Sequence, residues 1–486
     1  MDFKINEVEY AKVFGKKVFN HTRGRLLKLF PLSSERPDLI DSIPDMESFA
    51  GITGEFFRAC HDMQYAHTPA NRELLDSVIS TVTTDEPIQL KAIITSLLFD
   101  ENDDVYLFSA QILPHLKLRS NNSKLQVLQE FVANLLIDDE VKALIKRSKG
   151  NSHENILYNL IIEHLNKLSS ETMREWDKEG YYHGQLALDI RALFKTDLAN
   201  LSKLQEFYIA NVSQLIKYYY FHYITQQSLR SADLFDQKRE IHPLYFTLNW
   251  EKLSRSRLAL EHGWKKVESN ATALFAHANT LELLNMIRFN KKFVCAQGPF
   301  TYWEIREDVQ KMTQDEENDF TAAIYKLIRA YRQKIVDVSW ESFDEIYEPP
   351  QGDIYQQFHS LSLIHQLFSA IKYQFENSAR STSYREFGNW YKTFVKSSYF
   401  KLRGSLGGSL KIDRDLLLMM TELSIMSQSY RQDKILVSKL WDQLELRGIY
   451  LDEKTKQAVI SFFGKINTLE KKSDSGDAQY IKRLYR

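Results

Sequence analysis

Apolar residues recur at helical spacing along most of the chain. Leu125, Leu128, Phe131, Val132 and Leu135 share one face, as do Ile156, Leu160, Ile161 and Leu165, and the pattern continues across Leu186 to Phe194 and Leu204 to Ile224. Upstream, Ser48 to Arg119 predicts several helices of about ten to fifteen residues, punctuated by Pro69, Pro87 and Pro114. The pattern loosens into short extended pieces around Pro243 to Trp250 and Phe293 to Glu304, and Pro349-Pro350-Gln351-Gly352 marks a turn or seam. Helices resume from Gln356 through Phe375 and from Tyr384 to Lys401. The expected fold is mainly α, a multi-helical body followed by a C-terminal winged helix-turn-helix domain. Its divisions are an N-terminal helical region (1–120), a helical body for docking partners (121–403), a Gly-rich linker (404–410) and the winged-helix domain (411–486).

The last division carries the most specific pattern. Asp413 can cap a helix with the stripe Leu416, Leu417, Met420 and Leu423. A second helix starts near Asp433, buries Leu436, Leu440 and Leu444, and stops at Gly448. Asp452 then opens a third, in which Val459, Phe462, Phe463 and Ile466 face the core. The opposite side presents Lys454, Gln457, Ala458, Ser461 and Lys465, a polar face with a lysine toward each end, suited to a major groove with Gln457 and Ser461 nearest the bases. Leu469 to Lys472 and Gln479 to Leu484 read as a hairpin around Ser473-Asp474-Ser475-Gly476-Asp477. Lys471, Lys472, Lys482 and Arg483 make that wing cationic, where a duplex backbone would pass.

Charge sharpens this picture. The formal net charge is -1, yet residues 385–486 hold 19 Lys and Arg against 12 Asp and Glu, so the surplus of basic groups lies at the C-terminal end. With 17 Gly and 10 Pro there are few helix breakers, consistent with long helices. Cys60 and Cys295 stand far apart without partners at metal-ligand spacing, which argues against disulfides and zinc and fits a cytoplasmic protein, nucleoid-associated when bound to DNA. No membrane segment is expected, since no run approaches the roughly 18 apolar residues of a span.

Candidate chemistry is sparse. There is no P-loop motif. Asp100-Glu101-Asn102-Asp103-Asp104 resembles the start of a calcium loop, but Val105 and Gln111 replace the required Gly and Glu. Asp236-Gln237-Lys238 has only the spacing of a nuclease fragment. Arg257 and His262 match the spacing of helical HEPN-type ribonucleases, with Leu258 where a polar residue is preferred. Aromatics interleaved with basic residues (Trp390, Tyr391, Phe394, Tyr399 and Phe400 with Lys392, Lys396, Lys401 and Arg403) could stack bases, but read first as a buried helix face, as does the run Tyr218 to Tyr223. The basic stretch Lys12 to Lys28 reads as a solvated helix face. No cofactor or metal is expected.

The segment Lys465 to Tyr480, with Arg447-Gly448-Ile449-Tyr450-Leu451-Asp452 and Lys401-Leu402-Arg403-Gly404-Ser405-Leu406-Gly407, resembles the C-terminal signature of DptG (also DndG), a family belonging to the bacterial DNA phosphorothioation-dependent restriction system. That resemblance, carried by about the last 90 residues of the chain, implies a partner in a three-component complex attacking DNA that lacks the phosphorothioate mark. It also implies that the ATPase or translocase functions reside in the other two subunits. The expectation is a non-catalytic subunit that binds double-stranded DNA and bridges the other components of an antiphage complex. The alternatives are a helical scaffold whose winged helix docks protein, and a HEPN-like ribonuclease.

Overall fold

The computed structural model describes residues 3–14, 28–31, 43–63, 71–99, 106–119, 123–147, 156–168, 181–236, 241–428, 432–471 and 478–485. Those residues are mainly helical, and among them no helix is long and apolar enough to cross a membrane.

The main core centres on Gln205–Asp233, a 29-residue helix buried on nearly every side from Phe207 to Ser231. Its aromatic and aliphatic residues are distributed round the helix instead of along one stripe, so several faces seek cover, and its buried polar groups such as Asn211 and Gln226 are met by hydrogen bonds. Tyr218, Tyr219, Tyr220, Phe221 and Tyr223 are fully buried, as their pattern predicted. Their hydroxyls find partners there: Tyr219 donates to Asp197 at 2.6 Å, Tyr218 to the Arg447 carbonyl at 2.5 Å and Tyr223 to the Leu29 carbonyl at 3.2 Å. Helices Gln185–Leu201 and Lys265–Leu284 flank it.

One core runs from Phe3 to Ile481 and includes residues of all the expected divisions. A second, smaller core joins Leu75, Val78, Ile94 and Leu98 to Ile161 and Leu165, so it spans the boundary expected at residue 120. The helix expected over Tyr384 to Lys401 is broken: Ser381–Glu386 and Asn389–Ser398 are separate, and at Gly388 a side chain would collide with the Ala271 carbonyl. Glu304, placed by pattern in an extended piece, instead lies in the helix Tyr302–Val309.

The Gly-rich segment expected as a linker is part of a sheet. Strands are ordered Phe400–Leu402, Gly408–Ile412, Leu244–Leu248 and Ile449–Leu451. The first two form an antiparallel hairpin closed through Gly404 and Gly407, both at positive φ. Leu244–Leu248 lies parallel to strands on both sides, with Phe246 opposite Leu410 on one and Leu451 on the other. The body thus supplies the strand that holds the entry and the middle of the C-terminal segment together.

The C-terminal segment contains three helices, Arg414–Gln428, Val437–Leu446 and Glu453–Lys465. The second begins at Val437 and not near Asp433, because Leu436, expected buried on it, is half-buried at the end of a strand, Lys434–Leu436. The pattern revealed neither that strand nor the strand Ile449–Leu451. Asp413 accepts from the Leu416 amide at 2.9 Å, as a cap should. Lys434–Leu436 joins the hairpin Leu469–Lys471 and Gln479–Lys482 in an antiparallel three-stranded sheet with Gln479–Lys482 in the middle. Gly448 turns the chain at φ 78°, where a Cβ would lie 2.4 Å from the His222 ring. Burial pushes that imidazole down to about 3, so it stays neutral at physiological pH.

Candidate nucleic-acid interface

The helix Glu453–Lys465 starts where Asp452 accepts from the Thr455 amide at 3.0 Å. Thr455, Val459 and Phe463 recur at four-residue spacing and are buried. Phe462 and Ile466, expected in the same buried stripe, are only half-buried, and Trp250 of the body covers Phe462 with ring centroids 5.2 Å apart. Lys454, Gln457, Ser461 and Lys465 come together as one exposed stripe, with Ala458 half-buried at its edge. Gln457 donates to Glu453 at 3.1 Å, which engages the acidic residue on that face.

The hairpin is less cationic than its sequence. Lys471 is exposed and has no ion pair among the described residues, whereas Lys482 lies 3.3 Å from Glu470, which also holds Lys434 at 2.9 Å. Hydrogen bonds from Lys434 and Lys482 keep the Glu470 carboxyl below its ordinary value. Lys472 and the turn from Ser473 to Asp477 lie outside the described residues. Arg483, expected on a phosphate, instead points inward and donates to the buried Glu422 at 2.6 Å. Side chains alternate along the hairpin, so with Ile481 inside and Lys482 outside, Arg483 returns to the interior and fastens the sheet to helix Arg414–Gln428.

Sequence reasoning missed how this helix is fixed to the body. Arg257 donates to both Asp452 oxygens, each at 2.7 Å, to the Thr455 hydroxyl at 2.5 Å, and pairs with Glu251 at 2.7 Å. Thr455 in turn donates to Glu251 at 3.0 Å. The three charged side chains are all at least nine-tenths buried, at 4%, 7% and 8% exposure for Arg257, Asp452 and Glu251. Burial alone would raise the Asp452 carboxyl, but the Arg257 hydrogen bonds hold it below its ordinary value. The Arg257 guanidinium is therefore enclosed and engaged by carboxylates through Nε and Nη2, while His262 is exposed in the turn Leu260–Trp264.

A second anchor lies behind the module. Arg447 clasps Asp197 at 2.8 and 2.5 Å, and also reaches the Gln443 carbonyl at 2.9 Å and the Ser427 hydroxyl at 3.0 Å. Both charged side chains are essentially inaccessible, at 2% and 1% exposure. Tyr485 closes the end of the chain on Phe207, ring centroids 4.2 Å apart.

The other candidates recede. Trp390, Tyr391, Phe394 and Tyr399 are buried and cannot stack on bases. Lys401 and Arg403 serve the body: Lys401 donates to the Asn249 carbonyl at 2.5 Å, and Arg403 to the carbonyls of Leu248 and Glu251 at 2.9 and 2.8 Å. The acidic cluster Asp100 to Asp104, Gln237, Lys238 and most of the stretch Lys12 to Lys28 lie outside the described residues. Among the described residues no group of three His, Cys, Asp or Glu side chains could hold a metal ion. Compared with protein-family models the chain matches none, and no curated protein matches it.

Proposed function

We propose that residues 411–486 form a winged helix that binds duplex DNA, and that the chain is a non-catalytic DNA-binding and bridging subunit of a larger assembly. The order helix, strand, helix, strand, helix and hairpin supports the winged-helix reading, with Lys434–Leu436 beside the last strand of the hairpin and Ile449–Leu451 paired instead with the body. The observation that carries the DNA reading is the exposed stripe of Lys454, Gln457, Ser461 and Lys465. The two lysines lie about 16 Å apart along the helix at 1.5 Å per residue. That separation exceeds the roughly 12 Å width of a major groove, so each lysine can reach one phosphate wall while Gln457 and Ser461 meet base edges. The resemblance of the chain end to DptG supports placing this subunit in a restriction complex that acts on DNA without phosphorothioate and draws its ATPase or translocase activity from other chains.

A second reading, a scaffold whose module docks protein, draws on the neutralisation of Lys482 by Glu470 and the inward turn of Arg483. The two readings separate experimentally. Lys454→Glu with Lys465→Glu in the full chain should weaken duplex binding at least about tenfold and lower the salt slope by about 2, one for each phosphate that is no longer neutralised. Unchanged binding in a salt titration, with retained capture of a partner subunit, would favour the scaffold.

A further inference from the structure

Resting on the DNA reading of the module, we propose that a loop of the helical body, Trp250 to Arg257, is a second contact element for the same duplex, with Lys252 and Arg255 gripping phosphates beside those held by Lys454 and Lys465. The loop follows strand Leu244–Leu248 and lies against the flank of helix Glu453–Lys465. Three contacts place it there: Trp250 on Phe462 at 5.2 Å, Ser254 within 3.5 Å of the Lys454 ammonium, and the Arg257 clasp on Asp452. Helix Val437–Leu446 borders the other flank, where Lys456 pairs with Glu445 at 3.7 Å, so the exposed stripe runs between the loop and that helix.

The charges of this loop are sorted. Glu251 and Arg257 are buried in mutual ion pairing, whereas Lys252 and Arg255 are exposed and make no ion pair among the described residues. Lys454, Lys465 and Lys471 are likewise exposed and without an ion pair among the described residues, and the Ser254 contact with Lys454 joins the two groups of cations from parts of the chain about two hundred positions apart in sequence. The acidic side chain closest to them on the helix, Glu453, is engaged by Gln457. A set of exposed like charges beside a polar helix face suits a regular polyanion, and a duplex backbone presents one phosphate charge about every 1.7 Å of axis.

The loop also needs little ordering to bind. Arg403 holds the carbonyls of Leu248 and Glu251, Lys401 holds that of Asn249, and Glu251 accepts from the Leu248 amide at 3.2 Å. A contact presented on a fixed backbone avoids the entropy cost of immobilising a free loop. The body therefore does more than carry the module: it widens the DNA footprint.

The test uses the full chain and a fluorescent duplex of mixed sequence, titrated between about 50 and about 200 mM salt, the range over which phosphate contacts dominate. Lys252→Glu with Arg255→Glu should lower affinity at least about tenfold and the salt slope by about 2, with Lys252→Gln and Arg255→Gln showing the same slope change more mildly. Wild-type affinity and slope in these variants, while Lys454→Glu with Lys465→Glu loses binding, would overturn the loop contact and leave the module reading intact. Failure of the unaltered chain to bind duplex at low salt would overturn both. Displacement of the duplex by polyglutamate as readily as by unlabelled duplex would overturn DNA as the partner.

Discussion

Arg447→Ala is expected to destabilise the protein by about 3–5 kcal/mol, the usual cost of removing one partner from a buried ion pair. The loss arises less from the pair itself than from what is left behind. Asp197 would remain at 1% exposure with Tyr219 as its remaining close donor, and the Gln443 carbonyl and Ser427 hydroxyl would each be short of a hydrogen bond. Asp197→Ala combined with Arg447→Ala should therefore cost less than the two single changes added together, because the double variant buries no lone charge. Urea denaturation of the four proteins measures this coupling directly. Additive losses would mean that the pair contributes nothing as a pair.

Arg257→Ala should cost about the same, about 3–5 kcal/mol near neutral pH, since it leaves the carboxylates of Asp452 and Glu251 facing one another in a buried site. The pH dependence has a definite sign. Asp452 is held below its ordinary value in the folded protein, so its contribution to stability is fully present above about pH 4, the unfolded range for Asp, and disappears as pH falls through the lower folded value. Without Arg257 most of that contribution is lost, the Thr455 hydrogen bonds alone remaining, so the gap between wild type and variant should be widest at neutral pH and should shrink in acid. Asp452→Asn offers a milder comparison: it keeps a capping side chain and leaves Arg257 paired with Glu251. Denaturant midpoints at neutral pH and near pH 3 distinguish these outcomes; a gap independent of pH would mean that Arg257 acts through packing alone.

Both anchors bear on the relation between module and body. A Gly-rich linker would have let the C-terminal module unfold by itself. The shared core, the central strand Leu244–Leu248 and the pairs Arg447 with Asp197 and Arg257 with Asp452 instead tie the module to the body.

What was readable in the sequence was local. The stripe Val459 and Phe463, the Asp452 and Asp413 caps and the turn at Gly448 are all set within a few residues, and each stands where its pattern placed it. The exposed side of the same helix follows from the same periodicity, which is why Lys454, Gln457, Ser461 and Lys465 stand together as their spacing predicts. The missed elements depend on distant partners. Lys434–Leu436 and Ile449–Leu451 are three-residue strands, too short for alternation to declare itself, and each exists because a strand elsewhere completes its ladder. Gly404 and Gly407 do supply positive φ, but in a hairpin turn, a use that only the pairing with Phe400–Leu402 reveals. Arg483 was misplaced because a charge count ignores the two-residue alternation that turns it inward to Glu422. Trp250-Glu251-Lys252-Leu253-Ser254-Arg255-Ser256-Arg257 carried a visible basic cluster, yet only its proximity to the Glu453–Lys465 helix gives Lys252 and Arg255 a role.

The most direct test of the central claim is the salt dependence of duplex binding by the full, unaltered chain. Five cations without an ion pair among the described residues, Lys252, Arg255, Lys454, Lys465 and Lys471, predict a plot of log affinity against log salt with a slope of about −4.5, at about −0.9 per phosphate contact. Absence of binding at low salt, or a slope close to zero, would contradict the account.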